Sequence, residues 1–197
     1  MTPATTPIRP PQTLDDRPYH GLRMPLAEFE RLIDEEDIKP SLEWWDGVVE
    51  QDYMPKRPHR LSQGFFTVVL WPFIRSPGAD GGPEGHVWFE GRGWRVPDVT
   101  YWRADKPQGD ADRSLPPTLA IEIVSRRQAL PGLRRKCREM LSLGVDVCWL
   151  IDPERRRAEV FDDERDGVQV PPDGFLETSL IPGLRVSLAE LWEAASS

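Results

Sequence analysis

The fold is decided by residues 119–153, which read LAIEIVSRRQALPGLRRKCREMLSLGVDVCWLIDP. The first part, residues 119–124, is an apolar run of strand length that contains one carboxylate, Glu122. Strand alternation puts Glu122 on one face with Ala120 and Val124, and the other face is entirely apolar, so a central strand covered on both sides is predicted. Because an unpaired buried carboxylate costs several kcal/mol, Glu122 needs a cation, a metal ion or a proton.

A helix follows this strand and supplies a candidate cation. Pro131 suits a first helical position and Gly144 the position after the last turn, which predicts a helix over residues 133–143. At about 100° per residue, Lys136 is the only charged residue within the apolar arc of this helix. We therefore predict that Lys136 faces the sheet near Glu122. The alternative is a lysine at the edge of the arc whose amine extends into water.

The other elements follow from apolar spacing and turn residues. They are a helix at 25–37, a hairpin at 42–54 around Asp46-Gly47, a helix at 58–74 interrupted near Pro72, a loop at 78–85, strands at 86–90 and 99–102 joined through a turn at 91–93, buried strands at 119–124 and 145–151, an edge strand at 158–162, and a closing helix at 187–193 capped by Ser187. The predicted fold class is α/β (α+β mixed sheet). A central mixed β-sheet flanked by helices is antiparallel at first and is then crossed by one helix into a further strand.

The composition is that of a globular protein. The 197 residues are 39% apolar and include eight tryptophans, which is enough for a packed core, and the 21 prolines indicate rigid loops. Residues 1–18 are predicted to be a flexible Pro/Thr-rich tail and residues 19–197 a single domain. Because no apolar run reaches the about 20 residues of a membrane span and the N-terminus lacks an apolar signal segment, we expect a cytoplasmic protein without membrane association. Cys137 and Cys148 are predicted to be reduced, buried thiols.

The net charge of −8 argues against indiscriminate coating of nucleic acid but leaves nucleic acid open as a substrate. Charges more than roughly 8 Å apart are largely screened at physiological salt, so local clusters matter more than the total. The densest basic cluster consists of Arg126, Arg127, Arg134, Arg135, Lys136 and Arg138. A solvated basic helix face explains these arginines equally well.

A second acid, Asp98, opens the strand at 99–102. An isolated Pro-Asp such as Pro97-Asp98 is usually a turn, but here a β-branched and aromatic strand follows at once. Since the strand of Glu122 comes next along the chain, the two acids could face one point from adjacent central strands. They would then repel each other, and one would bind a proton unless a divalent cation lay between them. Oxygen ligands favour Mg²⁺ or Mn²⁺.

Several short motifs occur in a specific order. They are Glu43 with Asp46-Gly47, then His59, Pro97-Asp98-Val99, Glu122-x-x-Ser125, Lys136, Gly144-Val145, Trp149-Leu150-x-Asp152-Pro153 and Gly183-Leu184. This ordered set resembles the Uma-type restriction endonuclease family, a bacterial family assigned to the PD-(D/E)XK nuclease superfamily. The resemblance covers about residues 22–193.

The resemblance implies a restriction-endonuclease-like core with a metal site. It assigns the metal ligands to Asp98, Glu122 and the main-chain carbonyl of Ile123, and catalysis to Asp98, Glu122 and Lys136. The usual motif has its lysine two positions after the acid that corresponds to Glu122, where this chain has Val124. In this branch the lysine comes from the following helix, which corresponds to Lys136 and agrees with the helical spacing.

Further roles are implied at the edges of this site. Glu43 and His59 are assigned as accessory residues, although a strand-end acid and a helix-start histidine would look the same. Contacts to the DNA backbone are assigned to Arg126, Arg127 and Arg134. The chain departs from the family at Arg126-Arg127 after Ser125, at Gly132 and at Met140, which affects substrate contacts more than metal binding.

The implied activity is Mg²⁺- or Mn²⁺-dependent hydrolysis of DNA phosphodiester bonds by a metal-dependent endodeoxyribonuclease. Cutting both strands of a duplex would suit a homodimer. The alternative is a catalytically inactive nuclease-fold module that acts in nucleic-acid or protein binding, which the acidic total and the departures from the family pattern favour. Metal titration separates the two, because a pure scaffold has no need of a divalent site.

Overall fold

The computed structural model describes residues 17–35, 38, 41–109, 114–125 and 127–197. The helices are α1 (Leu26–Glu35), α2 (Arg57–Ile74), α3 (Leu130–Ser142) and α4 (Leu188–Ser196). The strands are β1 (Leu42–Trp45), β2 (Val48–Gln51), β3 (Asp80–Pro83), β4 (Val87–Phe89), β5 (Gly93–Arg95), β6 (Val99–Trp102), β7 (Leu119–Ile123), β8 (Val147–Asp152), β9 (Arg157–Phe161), β10 (Asp166–Val170), β11 (Phe175–Glu177) and β12 (Arg185–Ser187).

A mixed six-stranded sheet forms the centre, in the order β10-β9-β8-β7-β6-β3. Strands β7 and β8 are parallel and are connected by α3, whereas the other neighbours in this sheet are antiparallel. A parallel pair requires a crossover connection, which the helix supplies. The predicted mixed sheet flanked by helices, with one helix crossing into a further strand, is therefore confirmed.

Both faces of the central sheet are covered. Ile121 and Trp149 pack with Phe66 of α2 and Leu191 of α4 on one face. The other face carries α3, whose apolar side chains pack against residues of β7 and β8; this cluster includes Ala120, Leu133, Cys137, Met140, Cys148 and Leu150. Every residue of β7 and β8 is buried as a result, including Glu122. The two cysteines are buried free thiols, as expected.

A second, four-stranded sheet has the order β2-β1-β5-β4. The β1–β2 hairpin turns at Asp46 and Gly47, whose φ angles of 51° and 84° both lie in the left-handed region. Glycine reaches this region without strain and aspartate tolerates it, which explains the predicted Asp-Gly turn. Strand β5 pairs with β1 through Trp44↔Trp94 and carries Arg95 into the site described below.

Four sequence expectations about the elements are wrong. The predicted loop at 78–85 contains the edge strand β3, and a further strand, β5, follows the predicted turn at 91–93. Strand β10 pairs outside β9, so β9 is not the edge. Helix α2 continues through Pro72 to Ile74. The missing Pro72 N–H leaves the carbonyl of Val68 without its helical partner, and Val68 lies on the exposed side of the helix, where water can replace that partner.

The remaining expectations for single elements agree with the structure. Ser187 caps α4 by accepting a hydrogen bond from the Glu190 N–H at 3.3 Å. Most of the predicted Pro/Thr-rich tail, residues 1–16, lies outside the described residues. Among the described residues, the helices are too short or too polar for a transmembrane span.

Candidate active site

Two acids lie opposite each other at the end of the β6–β7 ladder. The antiparallel register pairs Val99 with Ile121. One further step along the same register places Asp98 opposite Glu122, and residues opposite each other point to the same face. The Asp98 carboxylate accepts a hydrogen bond from the Ile123 N–H at 2.6 Å. The register therefore places Asp98 and Glu122 on the same face of neighbouring strands, which is the arrangement that the sequence suggested.

Lys136 reaches the same point from helix α3. Its side chain is buried, with 8% of the residue exposed, and its Nζ atom lies 2.9 Å from Glu122 Oε1 and 2.7 Å from Glu43 Oε1. The predicted contact with Glu122 is confirmed, and the alternative of an amine in water is wrong.

Glu43 joins the small sheet to this centre. Its Oε1 atom accepts hydrogen bonds from Lys136 and from the Val96 N–H, and its Oε2 atom accepts one from Arg95 at 2.7 Å. The β1–β5 register, extended by one residue from Trp44↔Trp94, places Glu43 opposite Arg95. With both oxygens bonded, Glu43 holds Lys136 in place.

Arg95 is a site residue that the sequence did not reveal. It is 3% exposed, and its guanidinium donates to Glu43 and Glu50 and lies 4.1 Å from the centre of the Trp45 ring. A signal exists in hindsight, because an arginine between Trp94 and Val96 in a strand has little access to water. Its partners Glu43 and Glu50 come from β1 and β2, 52 and 45 residues earlier, and the pattern of a single strand does not report such pairing.

Two carboxyl groups share the Lys136 ammonium, and only one of them keeps its charge. Burial alone would raise the pKa of Glu43, but Lys136 and Arg95 outweigh burial and hold that pKa at about 2. Burial raises the pKa of Glu122 to about 8; Lys136 opposes the rise, and the negative charges of Asp98 and Glu43 add to it. Burial likewise disfavours a charged Lys136, yet the surrounding carboxylates raise its pKa well above the ordinary value. At neutral pH the group is therefore an ionised Glu43, a charged Lys136 and a protonated Glu122.

His59 contacts Asp98, the other acid of the candidate site. Its Nε2 atom lies 3.0 Å from Asp98 Oδ1, and the side chain is buried at the start of α2. Burial lowers the pKa of His59, but the hydrogen bond and the charge of Asp98 outweigh burial and raise it. Asp98 is thus oriented by His59 on one oxygen and by the main chain of β7 on the other.

A small cavity of about 40 Å³ lies beside these acids. Its acidic and histidine lining residues are Glu43, Asp52, His59, Glu84 and Asp98. Such a volume holds a small ion or one or two water molecules. The Asp52 side chain remains accessible to water, but partial desolvation in the cleft raises its pKa. The charge of Lys136 lowers this pKa, and the negative charges of Glu43 and Asp98 raise it further.

The donor set fits a divalent cation in its chemistry. Asp98 and Glu122 are hard oxygen ligands on neighbouring strands, of the kind that Mg²⁺ and Mn²⁺ take. Glu122 Oε1 is buried and accepts no hydrogen bond from a described residue, because the nearby Lys136 amine donates to Oε2 instead. In the part of the chain that the structure describes, no three His, Cys, Asp or Glu side chains are grouped to hold a metal ion. Asp98 and Glu122 would have to exchange present partners for the ion.

The predicted DNA-contacting arginines have different surroundings. Arg134 forms a bidentate pair with the buried Glu159 of β9 at 2.6 and 2.7 Å. Arg127 is exposed, and its guanidinium lies 5.5 Å from the centre of the Tyr53 ring. Arg126 lies outside the described residues. Helical spacing places Arg134 outside the apolar arc of α3. Its pair with Glu159 explains why the side chain nevertheless lies beside the sheet.

Comparison with known proteins shows which family the sequence of this chain matches. The profile of the family described as "Uma2: Putative restriction endonuclease" matches residues 26–192. Among solved structures, a protein from Anabaena variabilis, described as a putative nuclease belonging to DUF820, is similar in fold with a TM-score of 0.75. The two sequences are 22% identical, and the similarity covers 87% of this chain and 99% of the other. A comparison with curated proteins found no match.

Proposed function

Because the chain belongs to the Uma2 family, described as putative restriction endonucleases, we propose that it is a Mg²⁺-dependent endonuclease that hydrolyses DNA phosphodiester bonds. The placement of Asp98 opposite Glu122 on neighbouring strands, with Lys136 hydrogen-bonded to Glu122, carries the proposal. These residues come from two strands and a helix, and they supply two oxygen ligands and an amine. A purely structural ion pair would not need the second acid opposite the first.

The metal ion would be held by Asp98, Glu122 and the main-chain carbonyl of Ile123. When bound, Mg²⁺ (or Mn²⁺) supplies Lewis acidity toward the scissile phosphate and the attacking water. Glu122 would have to give up its proton to serve as a ligand, so binding of an ion here would release a proton. His59 keeps Asp98 oriented during this exchange through the contact at 3.0 Å.

Lys136 orients the attacking water and offsets the negative charge that develops on the phosphorane. A buried ammonium is effective in this role because the surrounding dielectric is low. Glu43 holds the Nζ atom at 2.7 Å, and Arg95 in turn holds Glu43, so the amine would stay in place if Glu122 served as a metal ligand. Glu43 and Arg95 are thus positioning residues.

Contacts to the DNA backbone would come from Arg126, Arg127 and Arg134, without reading bases. Arg127 is exposed next to the site, whereas Arg134 would have to leave Glu159 to reach a phosphate. DNA as the substrate implies the cytoplasm as the site of action. Two copies in a homodimer would allow cleavage of both strands of a duplex.

A plasmid nicking assay with Mg²⁺ tests this function. Wild type should convert supercoiled DNA to the open circle, while EDTA, Asp98→Ala and Lys136→Ala should each abolish the conversion. Arg155→Ala is the matched control, because Arg155 is exposed and pairs with Asp152 at 2.8 Å. Cleavage that survives both Asp98→Ala and Lys136→Ala would overturn the assignment. Absence of any cleavage or Mg²⁺ binding by wild type would favour the inactive binding module.

A further inference from the structure

A larger cavity of about 520 Å³ opens beside the candidate active site. Glu43 and Lys136 form part of its wall, so the cavity is continuous with the catalytic centre. Its other distinctive lining residues are two aromatic residues and five arginines: Trp45, Tyr53, Arg17, Arg92, Arg95, Arg127 and Arg135. A ligand in this cavity would lie against Lys136, one of the three residues proposed for catalysis.

The charges of the wall do not suit a bare phosphate. Arg92 is held by Asp46 through two hydrogen bonds of 2.8 Å, and Arg95 is held by Glu43 and Glu50. Carboxylates therefore line the cavity beside the arginines. Such a mixture of acceptors and donors matches the edge of a heteroaromatic base, which carries amino groups and ring acceptors.

Polar atoms in the wall also lack partners. Trp45 is 6% exposed and Arg95 is 3% exposed, and the Trp45 Nε1 and Arg95 Nε atoms are buried without a hydrogen-bond acceptor among the described residues. Across the cavity, the Gln128 side-chain amide donates to Asp52 at 2.7 Å and so fixes the direction of that carboxylate. The Trp45 and Arg95 N–H groups are themselves buried, so the polar groups of this wall that a ligand can reach are the exposed Asp52 carboxylate and the partly exposed Arg92 guanidinium.

A stacking surface completes the cavity. The Arg17 guanidinium lies 3.9 Å from the centre of the Tyr53 ring, and the Arg127 guanidinium lies 5.5 Å from it. Bases stack on aromatic rings and on guanidinium planes alike. Tyr53 lies on the loop after β2, and Arg17 and Arg127 bring their guanidinium groups to its ring from other parts of the chain.

We propose that this cavity binds the base of an unpaired nucleotide that flanks the scissile phosphate, so that the substrate is single-stranded or locally unpaired DNA. The assignment rests on the proposed nuclease function, because the phosphate of that nucleotide is the one at Lys136. The size agrees: sites of about 300–1,000 Å³ take ligands of nucleotide size. Enzymes that enclose a base act on single strands or extrude the base from the duplex.

Binding in EDTA tests the assignment without requiring cleavage. A fluorescent twelve-nucleotide oligothymidine should bind at least tenfold more tightly than the same strand annealed to its complement. Tyr53→Ala should weaken single-strand binding about tenfold, whereas Tyr53→Phe, which keeps the ring, should bind like wild type. Trp71→Ala is the control, because Trp71 is 54% exposed on α2 and is not among the residues that line the cavity. Thermal unfolding of each variant checks that the fold is intact.

Equal binding of single strand and duplex, or an unchanged affinity in Tyr53→Ala, would overturn the assignment. A cleavage assay with Mg²⁺ on the same DNAs separates this failure from that of the proposed function. Cleavage of duplex and single strand at equal rates, unaffected by Tyr53→Ala, would support the nuclease and overturn the base-binding cavity. Selective single-strand binding that depends on Tyr53, with no cleavage of any DNA, would support the cavity and contradict the nuclease.

Discussion

Lys136 carries one positive charge and lies between two carboxyl groups that are both buried. Glu43 is the carboxyl group that stays ionised, because Arg95 and the Val96 N–H also stabilise its negative charge, while Glu122 has only the lysine as a donor. The lysine therefore serves as a fixed anchor for Glu43, and Glu122 is the group that can change partner. This asymmetry suits a site in which one acid positions the amine and the other takes up a metal ion.

Removing the lysine should reveal how much the fold depends on this charge. We expect Lys136→Met to destabilise the metal-free protein by about 3 kcal/mol or more, since it leaves buried carboxyl groups without their ammonium partner. Urea unfolding in EDTA measures the change. Arg135→Ala, a change at the neighbouring residue with a 75% exposed side chain, should stay within about 0.5 kcal/mol of wild type. Equal effects of the two substitutions would contradict a buried role for Lys136.

Glu122→Gln should change the pH dependence of stability. The pKa of Glu122 rises from 4.5 in the unfolded chain to about 8 in the fold, so the folded state binds the extra proton between these values. Metal-free wild type should therefore lose stability as the pH rises from 4.5 toward 8, by at most about 1.4 kcal/mol per pH unit from this group. Glutamine has no proton to lose, so the variant should be as stable as wild type or more so, with an advantage that grows with pH. Parallel stability curves in EDTA would contradict the shifted pKa.

The sequence predicted part of this site for a clear physical reason. A lone carboxylate in an apolar strand and a lone lysine in an apolar helix arc each require a partner, and the connection between them is short, so Glu122 and Lys136 could be paired. Arg95 and Tyr53 could not, because their roles depend on strands or loops far away along the chain. A residue's period along its own element carries no information about such partners.

At the scale of elements, the small sheet brings Glu43 and Arg95 against α3, where they contact Lys136 and Glu139. Its pairing depends on close backbone approach at Gly93, where φ is 140° and an added Cβ would lie 2.0 Å from the Trp44 carbonyl oxygen. The long elements β7, α3 and β8 follow from sequence because their apolar patterns are strong. Strands β3, β5 and β10 do not, since they are three to five residues long and contain glycine or polar residues, and their neighbours in the sheets hold them in place.

Gly93→Ala should separate β5 from β1. We expect a loss of at least about 2 kcal/mol in the free energy of unfolding, because the methyl group collides with backbone rather than with a mobile side chain. Gly64→Ala is the matched control: Gly64 lies in α2 with nothing within 4 Å of the added Cβ, so the change should stabilise by about 0.5–1 kcal/mol. Urea unfolding measures both changes, and a neutral Gly93→Ala would contradict the β1–β5 pairing.

At the scale of the whole molecule, the candidate site lies where three parts meet: the central sheet, helix α3 and the small sheet. The mixed central sheet with flanking helices could be predicted, because apolar runs and crossover rules restrict the topology. The position of the small sheet could not, since β1 and β5 lie about 50 residues apart and their pairing leaves no local pattern. The cleft beside the site results from that long-range pairing.

Mg²⁺ should stabilise the folded protein as a whole. At tenfold over its dissociation constant, the ion should add about 1.4 kcal/mol to the free energy of unfolding of wild type. Asp98→Asn combined with Glu122→Gln should gain nothing beyond the effect of ionic strength, which NaCl at equal ionic strength controls. The wild-type gain should be larger at pH 8.5 than at pH 6.5, because Glu122 must release its proton to bind the ion. An equal gain in the double variant would place the ion elsewhere.

The central claim is that Asp98 and Glu122 share one divalent cation beside Lys136. Anomalous diffraction from crystals soaked in Mn²⁺ tests it most directly. We predict a single strong peak within about 2.0–2.3 Å of a carboxylate oxygen of each acid, with Lys136 still bonded to Glu43. Crystals with Mn²⁺ bound only at other positions, and with Glu122 still paired to Lys136, would contradict the claim.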